Sequence, residues 1–321
     1  MVLARPTPAP EFIYEKRVAS PGGVRMDDQE GFQTVLGYRL YYRSAGSSDA
    51  PTVLTLHGGP GSSHDYLLPL RDLVRWGYRV VFFDQLGCGR SEIPPGTDLF
   101  TLAHHVEETE GIRASLGLGR VHLIGSSYGG LLALAYAIKY QTHLRSLVTI
   151  GGLADVPFAR AEMNHLIDAL PKADAEAIRE HGARGELTHP EYLRAKDRFY
   201  RSHLCRLPTW PPELVRSLEL GDQRPVYPYM NGPDEFTITG TIRDIRLVAD
   251  LPKIRVPTLV TGGKYDEVTP AVAQQIQAGI PGARRITFEG SSHTPFWEER
   301  ERFMDVVGAF LQDVDRAGTH R

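Results

Sequence analysis

Five short stretches of the chain are continuously apolar or nearly so: 53–56, 80–83, 121–124, 147–150 and 258–260. Each is rich in β-branched or aromatic residues and bounded by Gly, Pro or polar residues, the pattern of strands buried on both faces of a parallel sheet. Between them lie stretches of helical character, such as the Ala- and Leu-rich 131–140. This alternation predicts an α/β fold, a mostly parallel sheet with helices on both faces. Upstream, FQTVLGYRLYYRSAG at 32–46 reads as a hairpin on the sheet edge.

The alternation stops after Gly152. From about 155 to 244 the pattern is helical and charged, broken by the proline-rich LPTWPPEL (207–214) and YPYMNGP (227–233). Strand–helix order resumes at 256–260. A different kind of structure placed between two strands of one sheet reads as an inserted helical cap over 154–245. It would sit on a catalytic α/β domain made of 31–153 and 246–321. Residues 1–30, with Pro6, Pro8 and Pro10, read as a loose arm leading into the first edge strand, and the tail DRAGTHR is expected to fray.

Composition narrows the function classes. The chain has 321 residues, 41% hydrophobic and 23% charged, with a net charge of −3. Positive and negative side chains are interspersed, so there is no basic stripe for nucleic acid and no cationic face for an anionic membrane. No apolar run approaches the roughly 20 residues of a membrane span, and the N-terminus lacks the apolar segment of a secretory signal. The only cysteines are Cys88 and Cys205, which do not make a disulfide framework. A reducing, cytoplasmic setting is the expectation.

The candidate chemistry begins at GSSYGG, 125–130. The frame G-x-S-x-G selects Ser127, because centring it on Ser126 would put Ile124 and Tyr128 where glycines belong. The stretch lies between a predicted strand and a predicted helix, as a sharp nucleophile turn requires. Close approach of the flanking chains leaves no room for side chains there. After the strand at 53–56 comes HGGPG, 57–61. Acyl transfer builds negative charge on a carbonyl oxygen, and backbone N–H groups must meet it; the expected donors are those of Gly59 and Tyr128. His57 is read as bracing this loop rather than as catalytic.

A serine hydroxyl needs a base, and the base needs an orienting acid. Past the strand in TLVTGGKYDEVTP stands Asp266, and past the next strand, in RITFEGSSHTPFWEE, stands His293. Asp244 and Asp250 follow no strand and are set aside. His122 reads as packed beside the elbow, and Asp84 as bracing its own loop.

With Ser127, HGGPG, DQLGCGRS, Asp266 and His293 in this order, the sequence resembles the α/β-hydrolase family. More narrowly it is similar to the proline iminopeptidases and their relatives, including tricorn-interacting aminopeptidases and amino-acid amidases. The resemblance runs from about 31 to 311. YMNGPDEF and YDEVTP narrow it most, contributing Glu235 and Glu267. The resemblance implies that these glutamates hold the free amino group of a substrate. An N-terminal ammonium in a partly dry cavity needs such partners, and an N-blocked peptide brings no charge to pair with them. Two close carboxylates would repel when the site is empty, so one should have a raised pKa.

The resemblance therefore implies a serine aminopeptidase working through an acyl-enzyme on small peptides with a free N-terminus, proline being the favoured first residue. An amidase of the prolinamide type uses the same groups, and a non-catalytic ligand receptor on the same fold is the reading from another class. No metal or organic cofactor is implied. Trp210, Tyr227 and Tyr229 would either wall the pocket or form the cap's own core. Cys88 is read as a structural thiol. Oligomeric state is left open.

Overall fold

The computed structural model describes residues 28–318. The expected arm over 1–30 falls almost wholly outside the described residues. Its edge strand is β1, Gln29–Val35, which lies mostly beyond that arm and pairs antiparallel with β2, Tyr38–Ala45. Leu36 and Gly37 join them at φ 50° and 90°. Positive φ at both turn positions gives the backbone twist that a tight hairpin needs.

The other strands are β3 (Thr52–Leu56), β4 (Arg79–Phe83), β5 (Val121–Ser126), β6 (Leu144–Ile150), β7 (Thr258–Gly263) and β8 (Arg284–Phe288). They complete one eight-stranded sheet in the order β1-β2-β4-β3-β5-β6-β7-β8. β2 runs against both neighbours, and all pairings from β4 across to β8 are parallel. The continuous apolar runs are explained by a core on each face. Leu54, Val81 and Leu123 pack on one side; Val53, Val80, Phe82 and Ile124 pack on the other. Successive residues of a strand point to opposite faces, so both registers must be apolar.

A 3-10 helix, His64–Trp76, precedes β4, and α1 (Leu102–Ser115) and α2 (Tyr128–Tyr140) flank β5. Between β6 and β7 come α3 (Val156–Asp168), α4 (Lys172–Arg184), α5 (Pro190–His203), α6 (Pro212–Asp222) and α7 (Val226–Met230). In α3 the buried residues are Val156, Ala159, Met163 and Ile167, one face of a helix with period near 3.6. Asp155 caps it, accepting from Phe158 N at 2.9 Å. Met163, Ile167, Ile178 and Phe199 share a small core of their own within these helices. The two ends of the inserted stretch meet at a neck, where Arg246 Nη1 lies 2.6 Å from Asp155 Oδ2 and Leu247 N donates to Ala154 O.

The chain closes with α8 (Pro270–Gly279), α9 (Pro295–Glu298) and α10 (Arg300–Gly318). α10 continues through the first residues of the tail that was expected to fray. Asp315 holds its last turn, accepting from Arg145 Nη1 at 2.9 Å and from Tyr78 Oη at 3.1 Å, with His122 Nε2 at 3.2 Å. His122 is thus a packed strand residue that ties the sheet to the last helix. Among the described residues no helix is long and apolar enough to cross a membrane.

The strand order places the site. From β3 the chain moves outward to β4, then crosses back to β5 on the other side of β3. In open α/β sheets ligands bind at such a reversal, outside the carboxyl ends of the strands.

Candidate active site

Ser127 stands at that reversal, between β5 and α2, with φ 58° and ψ −125°. A non-glycine residue rarely holds this conformation, and the surrounding packing must enforce it. A Cβ on Gly125 would collide with Gly129 O, and one on Gly129 with Leu56 O, so the two glycines of the frame are required by the close crossing of three chain segments.

The loop after β3 wraps over this turn. Gly58 lies so close that an added Cβ would sit 2.7 Å from Ser127 Cβ. Gly58 N donates to Tyr66 Oη at 2.8 Å. His57 Nε2 accepts from Gln85 N at 3.1 Å, so its proton is on Nδ1, which donates to Gly58 O at 3.1 Å. His57 braces the loop, as expected. Asp84 does the same for the next loop, accepting from His64 N at 2.8 Å and Arg90 N at 2.9 Å. Among the described residues Gly59 N–H donates to no protein acceptor. Tyr128 N–H is the first of the donors that a helix leaves unpaired. The Tyr128 hydroxyl is 2.8 Å from His105 Nδ1. Burial lowers the His105 pKa to about 4, so this partner is a neutral ring.

Asp266 and His293 come from the loops after β7 and β8. His293 Nδ1 donates to Asp266 Oδ1 at 2.6 Å, and the same oxygen accepts from Val268 N at 2.8 Å. The histidine loop is pinned from α9 and the residue after it. Glu298 accepts from Ser292 N at 2.9 Å, and Glu299 from Gly290 N at 2.9 Å. From the inserted helices, the carbonyl of His203 accepts from both Glu267 N and His293 N at 3.2 Å. Gly151, at the end of β6, makes room for the pair. A Cβ there would lie 2.7 Å from Asp266 Oδ2 and from His293 Nδ1.

Ser127, His293, Glu235 and Glu267 line one cavity of about 250 Å³, together with Tyr200 and Trp210. Ser127 Oγ makes no hydrogen bond among the described residues, and His293 Nε2 lies 3.8 Å from Glu267 Oε1. A smaller apolar recess of about 40 Å³ opens from the same serine, walled by Leu131, Leu153, Val156, Met163, Ile238 and Val268. Glu235 reaches the cavity from a tight turn in NGPDEF. Asp234 Oδ1 accepts from Phe236 N at 3.0 Å and Thr237 N at 2.9 Å, Asn231 Nδ2 donates to Asp234 O at 2.8 Å, and Tyr192 Oη bonds the other Asp234 oxygen. Of the three aromatic residues left open in the sequence, Trp210 and Tyr227 line the cavity. Tyr229 does not; it is exposed and packs edge-on against Phe100.

The charges in this cavity are coupled. Burial pushes the Glu267 carboxyl up, with Glu235 and Asp266 adding to the rise against the pull of His293. Burial also raises Glu235, although the Tyr227 hydroxyl, His293 and Lys196 oppose it. For His293, burial works against the charged ring. The carboxylates of Asp266, Glu267 and Glu235 outweigh it and hold the pKa up at about 10.

Both thiols are buried and unpaired, and burial pushes Cys88 well above its usual range. Away from the cavity, His181, His189 and Glu191 bring their donor atoms within 4.8 Å of one another. The two imidazoles stack 3.8 Å apart with their planes 17° from parallel, which does not aim both at a single ion. Sequence reading missed Tyr66, Gly151, His203 and Glu298. Tyr66 and Glu298 hold backbone N–H groups with their side chains, His203 acts through its own carbonyl and Gly151 through the absence of a side chain, none of which leaves a periodic signal.

Residues 51–300 match the family described as alpha/beta hydrolase fold. The fold, with Ser127 and His293 on one cavity and Asp266 bonded to the ring behind it, thus defines a serine hydrolase of the α/β type. The proline iminopeptidase of Thermoplasma volcanium is 46% identical over 286 residues, 88% of this chain and 97% of that protein. That of Saccharolobus solfataricus is 45% identical, over 91% of this chain and 95% of that one. The crystal structure of proline iminopeptidase from Mycobacterium smegmatis superposes with a TM-score of 0.86 at 32% identity, covering 90% of this chain and 100% of that one. The chain belongs to the proline iminopeptidase family.

Proposed function

We propose that this protein is a serine aminopeptidase that releases proline from the N-terminus of small peptides through an acyl-enzyme. The observation that carries this reading is the pair of carboxylates, Glu235 and Glu267, on the same cavity wall as Ser127 and His293. A simple esterase has no use for two acids there. An aminopeptidase must pair a desolvated ammonium with them.

In this mechanism His293 Nε2 takes the Ser127 proton as Oγ attacks the first carbonyl. Asp266 holds the ring with Nδ1 protonated and stabilises its charged form. The free N–H groups of Gly59 and Tyr128 receive the oxyanion. His293 then gives the proton to the leaving amine, and water, activated by the same ring, hydrolyses the ester. The apolar recess takes the proline ring. The larger cavity takes the remaining peptide, which favours a peptidase over an amidase whose leaving group is ammonia. The inserted helices, 154–245, serve as a cap that carries Glu235. Two buried, unpaired thiols support a reducing, cytoplasmic setting.

The test is hydrolysis of prolyl, alanyl and leucyl arylamides beside their N-acetyl derivatives. The prolyl compound with a free amine is expected to react fastest, and acetylation to slow turnover severely. Equal rates for blocked and free substrates remove the amine anchor.

A further inference from the structure

Nothing in a Ser–His–Asp mechanism asks for a second carboxylate beside the catalytic nitrogen. Here Nδ1 of His293 is occupied by Asp266 at 2.6 Å, while Nε2, the nitrogen that must serve Ser127, faces Glu267 Oε1 at 3.8 Å. The side chains of His293 and Glu267 are each only 5% exposed, and Glu267 Oε2 has no hydrogen-bond partner. Nε2 makes no hydrogen bond to Ser127 Oγ among the described residues. This geometry suits an imidazolium held between two carboxylates, which is a resting form that cannot act as a base.

The other groups around the ring do not change that sign. Glu235, from the inserted turn, adds a further carboxylate. Burial pushes the hydroxyls of Tyr200 and Tyr227, on α5 and α7, well up, and that of Tyr66, on the 3-10 helix, to about 12, so all three stay uncharged. His203 on α5 is pushed down by burial and is neutral. Among the described residues Lys196, also on α5, is the one cation lining the cavity besides His293, and it acts on Glu235.

We propose that Glu267 keeps the His293 base protonated in the empty site, and that the substrate's own ammonium releases it by taking the imidazolium's place beside the carboxylate. The proposal rests on the amine-anchor reading given above. The balance is simple. One ammonium enters, one proton leaves Nε2 for solvent, and the net charge of the cluster is unchanged. The freed Nε2 lone pair then accepts the Ser127 hydroxyl. The His293 pKa, held at about 10 against burial by the surrounding carboxylates, agrees with a ring that keeps its proton near neutral pH until a cation arrives to displace it. Recognition of a free N-terminus would therefore govern the chemical step as well as binding. A blocked peptide that entered the cavity would meet an inactive histidine.

Two experiments separate this coupling from the anchor. The first is calorimetric titration of Ser127→Ala with prolinamide and with N-acetylprolinamide at pH 7, in two buffers of different ionisation enthalpy. Expected is tighter binding of prolinamide, with release of up to one proton per ligand, and no proton release with the acetyl compound. Preferential binding of prolinamide without proton release overturns the coupling and leaves the anchor standing. Equal binding of the two compounds overturns both. The second uses p-nitrophenyl acetate, an ester with no amine. Glu267→Gln removes the counter-ion, so its kcat/KM at pH 7 is expected to rise above the parent's by about tenfold for each pKa unit by which His293 falls. The rise should shrink at alkaline pH, where the parent's histidine is already neutral. An unchanged or lower rate across that range overturns the proposal.

Discussion

Glu235→Gln keeps the size of the side chain, and the Tyr227 hydroxyl that faces the carboxylate can still donate to the amide oxygen. What is lost is a negative charge on the cavity wall. A hydrogen bond to a charged group contributes about 1.5–3 kcal/mol, and stranding one partner of a buried ion pair costs about 3–5 kcal/mol. Glu267 remains to share the ammonium, which puts the loss toward the lower figures, about 2–3 kcal/mol. That corresponds to a fall of about 30- to 150-fold in kcat/KM for a prolyl arylamide. The N-acetyl derivative has no charge to lose, so its slow rate should move little and the ratio of free to blocked substrate should collapse. The assay is kcat/KM for both substrates in parent and variant, with thermal unfolding as a check on folding. A folded variant whose prolyl kcat/KM stays within about threefold of the parent refutes the reasoning and removes Glu235 from the site.

Asp266→Asn presents an amide N–H₂ to His293 Nδ1 and stabilises the tautomer with its proton on Nε2. kcat is expected to fall by about 10⁴, and the N–H₂ standing in place of the oxygen that His293 Nδ1 and Val268 N share leaves Val268 N without its acceptor; a fall of less than tenfold in a folded variant contradicts the assigned role. Ile238→Phe fills the apolar recess, so kcat/KM for prolyl arylamide should drop by at least about tenfold, and glycyl arylamide, with no ring to place, should be spared. Equal losses on both would move the ring elsewhere. Stability should depend on Asp84. Burial opposes its ionisation, but His64 and the surrounding hydrogen bonds win and hold its pKa at about 2, below the ordinary 3.8. A depressed carboxylate stabilises the fold above its unfolded pKa and loses that contribution as pH falls through the folded value. About 2 kcal/mol should therefore disappear between roughly pH 4 and pH 2, and Asp84→Asn should flatten that part of the stability curve.

The five apolar runs all lie in strands of one sheet, because strands covered on both faces favour apolar residues at successive positions; His122, the polar exception in one run, is partnered by Ser146 Oγ. Their ends were less legible. β6 begins at Leu144 and β7 runs on to Gly263, since ladder partners such as Val121 extend pairing into residues with no apolar signature of their own. Ser127 stood out because a crowded turn writes itself into the sequence as spaced glycines. Asp266 and His293 were picked out by chain order at strand ends; the fold sets His293 on one cavity with Ser127 and Asp266 against the ring's other nitrogen. Glu235 had no such local mark. Its position depends on a turn held by Asp234, Asn231 and Tyr192 at the far end of an inserted segment, and only the likeness of YMNGPDEF to a family pointed to it. The contact between Glu267 and His293 Nε2 is purely tertiary, although Glu267 follows Asp266 directly in the chain.

The central claim is that Ser127 carries the prolyl group between attack and hydrolysis. Rapid quenching of a single turnover of a prolyl ester, followed by proteolysis and mass spectrometry, tests it directly. A transient prolyl adduct is expected on the peptide containing Ser127, absent from Ser127→Ala and absent when the ester is N-acetylated. Turnover with the adduct on another residue, or undiminished turnover in Ser127→Ala, would contradict it.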